Sequence, residues 1–193
     1  MGLDMYLERM PRHRGATAHD VSAVENYLDW LMAKAKGSEY AQCSFKEWCG
    51  MEKTPSKENI EFYVDHYKTY YSDWDTEHKY PHTRIMEQVG YWRKANQIHN
   101  WFVENVQDGV DDCDYHREVT KEDLEELLDI CHEILCNPDV AELRLPTQGG
   151  FFFGSTEYDD WYISDIKHTM DIITTVLETT DFDTQMIYYV SSW

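Results

Sequence analysis

Apolar residues alternate with polar ones near the start of the chain, cluster as strand formers near its end, and recur at the helical period between them. Residues 3–9, Leu-Asp-Met-Tyr-Leu-Glu-Arg, alternate as a short strand does, and Pro11 and Gly15 close the run. Thr17 with Asp20 three residues on forms a capping box for a helix carrying Val21, Val24, Leu28 and Leu31 inward, with Gly37 as its stop. Ser44 with Glu47 repeats the box for a short helix bearing Phe45 and Trp48. Residues 56–70 read as a further helix with Ile60, Tyr63, Val64 and Tyr67 on one side, and residues 71–83 as a connecting loop.

From Arg84 to Gln107 the chain has no proline and one glycine, Gly90. Val89, Trp92, Asn96, His99, Val103 and Val106 make one helical stripe there, and Tyr91, Ala95, Ile98 and Phe102 another, so a broadly buried central helix is predicted, ended by Asp108-Gly109. Thr120 with Asp123 caps an amphipathic helix carrying Leu124, Leu127, Leu128, Cys131, Ile134 and Leu135, stopped at Asn137-Pro138. Thr156 with Asp159 marks a last long helix to about Glu178, with Tyr162, Ile166, Met170, Ile173 and Leu177 inward. Residues 185–190, Gln-Met-Ile-Tyr-Tyr-Val, are rich in strand formers. An isolated N-terminal strand would leave its backbone groups unpaired, so the terminal strands are expected to pair. The predicted fold class is α+β, predominantly helical: a helical bundle with a small antiparallel sheet joining the N- and C-terminal strands. At 193 residues a single domain, 1–193, is expected, with 37–83 as an insertion or variable region.

Composition adds a strong charge bias. The chain holds 37 acids against 17 Lys and Arg, a formal net charge of −20. Residues 1–107 contribute 16 acids and 13 bases, whereas residues 108–193 contribute 21 acids and only four bases, Arg117, Lys121, Arg144 and Lys167. That balance argues against direct contact with nucleic acid, because phosphate binding needs clustered cations. The N-terminal segment lacks the apolar run of a secretory leader, and no stretch reaches the length of a membrane-spanning helix. Five cysteines without a CxxC pair fit reduced thiols in a cytoplasm, host cytoplasm if the protein is phage-encoded. No metal site and no cofactor are expected. The acidic run around Asp108, Asp111, Asp112 and Asp114 lacks EF-hand spacing and reads as a solvated turn. His66, His78 and His82 receive no role.

Three segments carry a resemblance: residues 1–7, Met-Gly-Leu-Asp-Met-Tyr-Leu; residues 89–103, Val-Gly-Tyr-Trp-Arg-Lys-Ala-Asn-Gln-Ile-His-Asn-Trp-Phe-Val, with the Asn-Val-Gln-Asp-Gly that follows at 105–109 and Asp111-Asp112-Cys113; and residues 145–162, Leu-Pro-Thr-Gln-Gly-Gly-Phe-Phe-Phe-Gly-Ser-Thr-Glu-Tyr-Asp-Asp-Trp-Tyr. Together they resemble an uncharacterised protein family of bacteriophage and prophage genomes. The resemblance covers the start of the chain and roughly residues 85–180, not residues 10–84. It implies an intracellular phage-type accessory protein. No catalytic role carries over.

Two groups of residues are candidates for function. Trp92, Arg93, Asn96 and His99, with Thr147, Gln148, Gly149, Ser155, Thr156 and Tyr158 of the glycine- and phenylalanine-rich loop, either bond neighbouring backbone or line a pocket for a small or phosphorylated ligand, with Thr156 opening a helix whose N-terminus attracts anions. Asp111, Asp112, Asp114, Glu122, Glu125, Glu126 and Asp129 form an acidic surface suited to a basic protein partner. The leading expectation is a soluble non-enzymatic protein acting by protein contact, in its strongest form occupying a host defence protein's nucleic-acid-binding cleft. The alternative is a small-ligand or nucleotide-binding module, or an enzyme, built on the central helix and the 147–158 loop.

Overall fold

The computed structural model describes residues 2–71, 81–113 and 117–193. In chain order these form β1 (Asp4–Pro11), α1 (Ala18–Ala35), α2 (Phe45–Cys49), α3 (Lys57–Tyr63), β2 (Lys68–Tyr71), β3 (Pro81–Arg84), β4 (Glu87–Arg93), α4 (Asn96–Asn105), β5 (Arg117–Val119), α5 (Lys121–Cys136), α6 (Ala141–Arg144), α7 (Asp160–Thr179) and β6 (Gln185–Ser192). The fold is α+β and half helical, with a four-stranded antiparallel sheet in the order β4-β1-β6-β5. The N- and C-terminal strands lie side by side in that sheet. None of the helices among the described residues is long and apolar enough to cross a membrane.

Two compact units divide the chain, residues 1–9 with 88–193 and residues 10–87. The anticipated insertion at 37–83 falls within the second unit, which also takes in α1.

In the first unit, Leu3, Met5 and Leu7 alternate along β1 into one core with Trp92 of β4, Val119 of β5, and Ile187 and Tyr189 of β6. The helices supply Ile98, Trp101 and Phe102 from α4, Leu124, Leu127, Cys131 and Ile134 from α5, and Tyr162, Ile166, Ile173 and Val176 from α7. Phe102 stacks on Tyr189 with ring centroids 4.2 Å apart. The Trp92 indole is buried but satisfied, donating to Thr169 Oγ1 at 2.9 Å. β5 pairs with β6 with Val119 opposite Ile187, a three-residue strand too short to have left a pattern in the sequence.

The expected helix over 84–107 is a strand followed by a helix. Residues 87–93 belong to β4, and α4 starts only at Asn96. Gly90 and Trp92 alternate inward while Tyr91 and Arg93 face out, a strand's period of two. Gly90 is required by close packing: a Cβ there would lie 2.8 Å from Ile172 Cγ2 and 3.3 Å from Leu7 Cβ.

In the second unit the Thr17–Asp20 and Ser44–Glu47 capping boxes form as expected. Val21 and Val24 are buried, but Leu31 is exposed, while the charged Glu25 is buried. One Glu25 oxygen accepts from Ile85 N at 2.6 Å and Met86 N at 3.0 Å, so the buried carboxylate ties α1 to the end of β3. Tyr27, Trp30 and Phe45 form an aromatic cluster beside it, with Lys34 Nζ 4.4 Å above the Trp30 ring. The helix expected over 56–70 stops at Tyr63, leaving Val64 and Tyr67 exposed. β2 pairs antiparallel with β3, Lys68 opposite Arg84. Of the expected loop 71–83, residues 71 and 81–83 therefore lie in strands, and residues 72–80 lie outside the described residues.

The Gly90 contact gives a direct check on the strand assignment. Gly90→Ala is expected to destabilise the protein by about 1–3 kcal/mol through overpacking, read as a lower urea midpoint. An unchanged midpoint would contradict the packing of Gly90 against Ile172.

Candidate functional site

The residues singled out near the central helix separate into three that face a cleft and others that hold its walls. Asn96, at the first turn of α4, is 1% exposed and fully bonded. Its amide nitrogen donates to Phe153 O at 3.0 Å and Ser155 O at 2.7 Å, and its oxygen accepts from Gln148 N at 2.8 Å. One carboxamide thus satisfies three backbone groups of the 147–158 loop, which secondary structure cannot serve.

His99 is one turn further on and has no exposed surface. Its Nδ1 lies 2.7 Å from Tyr189 Oη and its Nε2 3.0 Å from Asp111 Oδ1. Its ring meets Phe153 edge-on at 5.1 Å. Burial lowers the imidazole pKa below its ordinary value, against the opposing pull of Asp111. The neutral ring is then held by one donor and one acceptor, with Asp111 as the acceptor that fixes Nε2–H. Trp92, on β4 rather than on the helix, serves the core. Burial also pushes the Cys131 thiol up to about 12, which makes it inert as a nucleophile.

The loop is pinned at further points. Thr147 N donates to Tyr158 Oη at 3.2 Å, Thr147 Oγ1 to Thr156 O at 3.0 Å, and Tyr162 Oη to Leu145 O at 2.9 Å. Of its three phenylalanines only Phe153 enters the core, while Phe151 is 96% exposed. The last helix does not start at Thr156. Its N-cap is Asp159, whose carboxylate accepts from Trp161 N and Tyr162 N. Those free N–H groups, which could have drawn an anion, are taken up by the protein's own carboxylate.

Above these anchors lies a cleft of about 260 Å³ lined by Arg93 and Lys94 at the β4–α4 turn, Gln97 of α4, Thr147, Gly154, Ser155 and Glu157 of the loop, and Asp159, Trp161, Tyr162 and Asp165 around the start of α7. Arg93, Thr147 and Ser155 are the anticipated residues that reach it. Trp92, Asn96, His99, Gln148, Gly149, Thr156 and Tyr158 are not in its lining. Lys94, Gln97, Trp161 and Asp165 were not anticipated. Asp165 is half-buried and accepts from Gln97 Nε2 at 3.2 Å. Burial raises its pKa, partly offset by the Gln97 bond.

The acidic group falls elsewhere. Asp111 is bonded to His99, Asp112 is exposed, and Asp114 lies outside the described residues. Glu122, Glu125, Glu126 and Asp129 all face out from α5. Among the described residues no group of three or more His, Cys, Asp or Glu is arranged to hold a metal ion.

His99 carries a pH signature. Below its ordinary value of 6.5 the unfolded chain takes up a proton that the native imidazole resists, so the unfolded state binds more protons and stability falls as pH drops. The slope from this group is at most about 1.4 kcal/mol per pH unit, between 6.5 and the lowered native midpoint. His99→Gln is expected to lose that component of the urea-unfolding pH profile, and the His99 Cε1 proton to titrate below 6.5 by NMR. A midpoint above 6.5 would contradict the buried neutral ring.

Comparison with protein-family models, with curated proteins and with solved structures finds no match to this chain.

Proposed function

We propose that the protein acts by protein–protein contact, as a phage-type accessory protein whose α5 offers its outer face to a basic surface on a partner. In its strongest form the surface so covered is the nucleic-acid-binding cleft of a host defence protein. The observation that carries this reading is the row Glu122, Glu126 and Asp129. These carboxylates follow one another at helical spacing over about 10 Å and have no cation against them among the described residues. On the same helix Glu125 is met by Lys121 at 3.3 Å and Glu133 by Arg144 at 2.7 Å. Each like-charge neighbour at this spacing costs about 0.2–0.5 kcal/mol. A row kept unpaired against that cost suits a role in which an outside cation completes it.

The unit that bears α5 concentrates the charge. Residues 1–9 and 88–193 hold 24 acids and 7 bases, a net of −17, whereas residues 10–87 hold 13 acids and 10 bases, a net of −3. A field of that sign speeds encounter with a basic partner and repels nucleic acid. The buried, internally bonded Asn96 and His99 support the same reading, because neither is available to a substrate.

The test is affinity capture from host lysate with wild type and with Glu122→Gln/Glu126→Gln/Asp129→Asn. Wild type is expected to retain a basic protein at about 50 mM salt and to release it at about 500 mM, where the screening length falls to a few ångströms. The triple variant is expected to capture none of it while unfolding within a few degrees of wild type, because relief of the like-charge pairs is set against the loss of Glu122 from the first turn of α5. Capture by the variant, or binding that persists at high salt, would contradict the electrostatic contact.

A further inference from the structure

Independently of the acidic face, we propose that the cleft in the first unit binds a small zwitterion, an α-amino acid with an apolar or aromatic side chain, its carboxylate set against Arg93 and Lys94 and its ammonium against Asp165 and Glu157. The cleft holds charges of both signs that do not neutralise each other. Arg93 and Lys94 come from the β4–α4 turn; Glu157, Asp159 and Asp165 come from the loop and α7. No ion pair joins any of these cations to any of these acids among the described residues. Arg93 instead reaches Asp4 at 3.4 Å, outside the lining. Asp159 is engaged as a helix cap, which leaves Glu157 and Asp165 to meet a ligand.

Lys94 is built into the site at a cost. It holds a left-handed backbone, φ +60°, which a residue with a Cβ adopts only under constraint. Its N–H donates to Leu3 O at 2.8 Å. Its stem runs between two glycines: a Cβ at Gly2 would lie 3.0 Å from Lys94 Cε, and one at Gly154 would lie 3.2 Å from Lys94 Cβ. In a unit so rich in acids, Arg93, Arg117, Lys121 and Arg144 each meet a carboxylate, whereas Lys94, and on α7 the exposed Lys167, meet none among the described residues; of these two only Lys94 lines the cleft. A cation whose backbone and stem are constrained, left without a counter-ion in such a field, is poised for an anionic group from outside.

The neighbouring acids then select among anions. A phosphate or a simple acid would sit beside Glu157 and Asp165 inside a unit of net charge −17, and a simple amine would sit beside two cations. A molecule bearing both charges satisfies both sets at once. The size agrees. About 260 Å³ lies below the roughly 300–1,000 Å³ of pockets for drug-sized ligands, room for one amino acid and not for a dinucleotide. Trp161, 78% exposed in the lining, gives the side chain an apolar plate to rest on.

The experiment uses three probes of one shape: L-phenylalanine, phenethylamine, which lacks the carboxylate, and 3-phenylpropionate, which lacks the amine. Each is titrated into the full chain by calorimetry, with the Trp161 indole N–H followed by NMR. L-phenylalanine is expected to bind and shift the Trp161 signal, with each analogue weaker by about tenfold or more. Lys94→Met is expected to reduce phenylalanine affinity to that of phenethylamine on wild type, and Asp165→Asn to that of 3-phenylpropionate. The wild-type comparison stands without any variant folding. An analogue that binds as tightly as phenylalanine, phenylalanine that leaves Trp161 unmoved, or folded variants of wild-type affinity would each overturn the proposal. None of these outcomes bears on the α5 contact, which the charge-row variant tests separately.

Discussion

The side-chain amide of Asn96 is the contact on which the first unit's cleft depends. A loop rich in glycine and phenylalanine has no ladder to satisfy its backbone, and burying it unsatisfied would cost about 1–3 kcal/mol for each orphaned group. Asn96 answers three such groups at once, on Gln148, Phe153 and Ser155. With those points fixed, Phe153 sits on the His99 ring, Gly154 lies against Lys94, and Thr147 and Ser155 reach the cleft that Arg93 and Lys94 share. Glycine at 154 is needed twice over, for its φ of +93° and for the 3.3 Å that would separate a Cβ from Lys94 O. Asn96 and His99 of α4 therefore shape the site without belonging to it, whereas Gln97 on the same helix lines it.

The parts of this fold that sequence reveals are those whose physics is local. Three capping boxes, at Thr17, Ser44 and Thr120, form because both partners lie within one turn of the cap. The fourth match, at Thr156, loses to Asp159, because the preceding backbone is already committed to Thr147 and Asn96. The stretch from Val89 to Val106 is periodic enough to pass for one helix, but Lys94 N is bound to Leu3 O, and pairing with a strand some ninety residues away decides the matter. Glu25 has no apolar signature; it is buried where Ile85 and Met86, just past β3, deliver two N–H groups to it and Arg84 lies 3.7 Å away.

Of the eleven residues lining the cleft, three were legible. Arg93, Thr147 and Ser155 stand out because they flank unusual residues, whereas the left-handed turn that presents Lys94 leaves no trace in residue type. Asp165 did leave one: it stands beside Ile166 on the inward stripe of α7, an acid at the edge of an apolar face. The division of charge was legible as well, since the break near residue 108 approximates the start of the long acidic segment of a unit that runs from residue 88. What counting could not supply is the distinction between acids already answered, such as Asp111, Glu125 and Glu133, and those left open.

The dependence of the cleft on one amide is tested most directly by Asn96→Asp, which keeps the oxygen that receives Gln148 N and turns the two donor bonds into oxygen–oxygen contacts. Amide hydrogen exchange, followed residue by residue, is expected to quicken by about tenfold or more across 149–157, in line with the loss of buried hydrogen bonds, while β1 and β6 exchange as in wild type. Exchange in the loop that stays at the wild-type rate would contradict the account, because the loop would then be held by something other than Asn96.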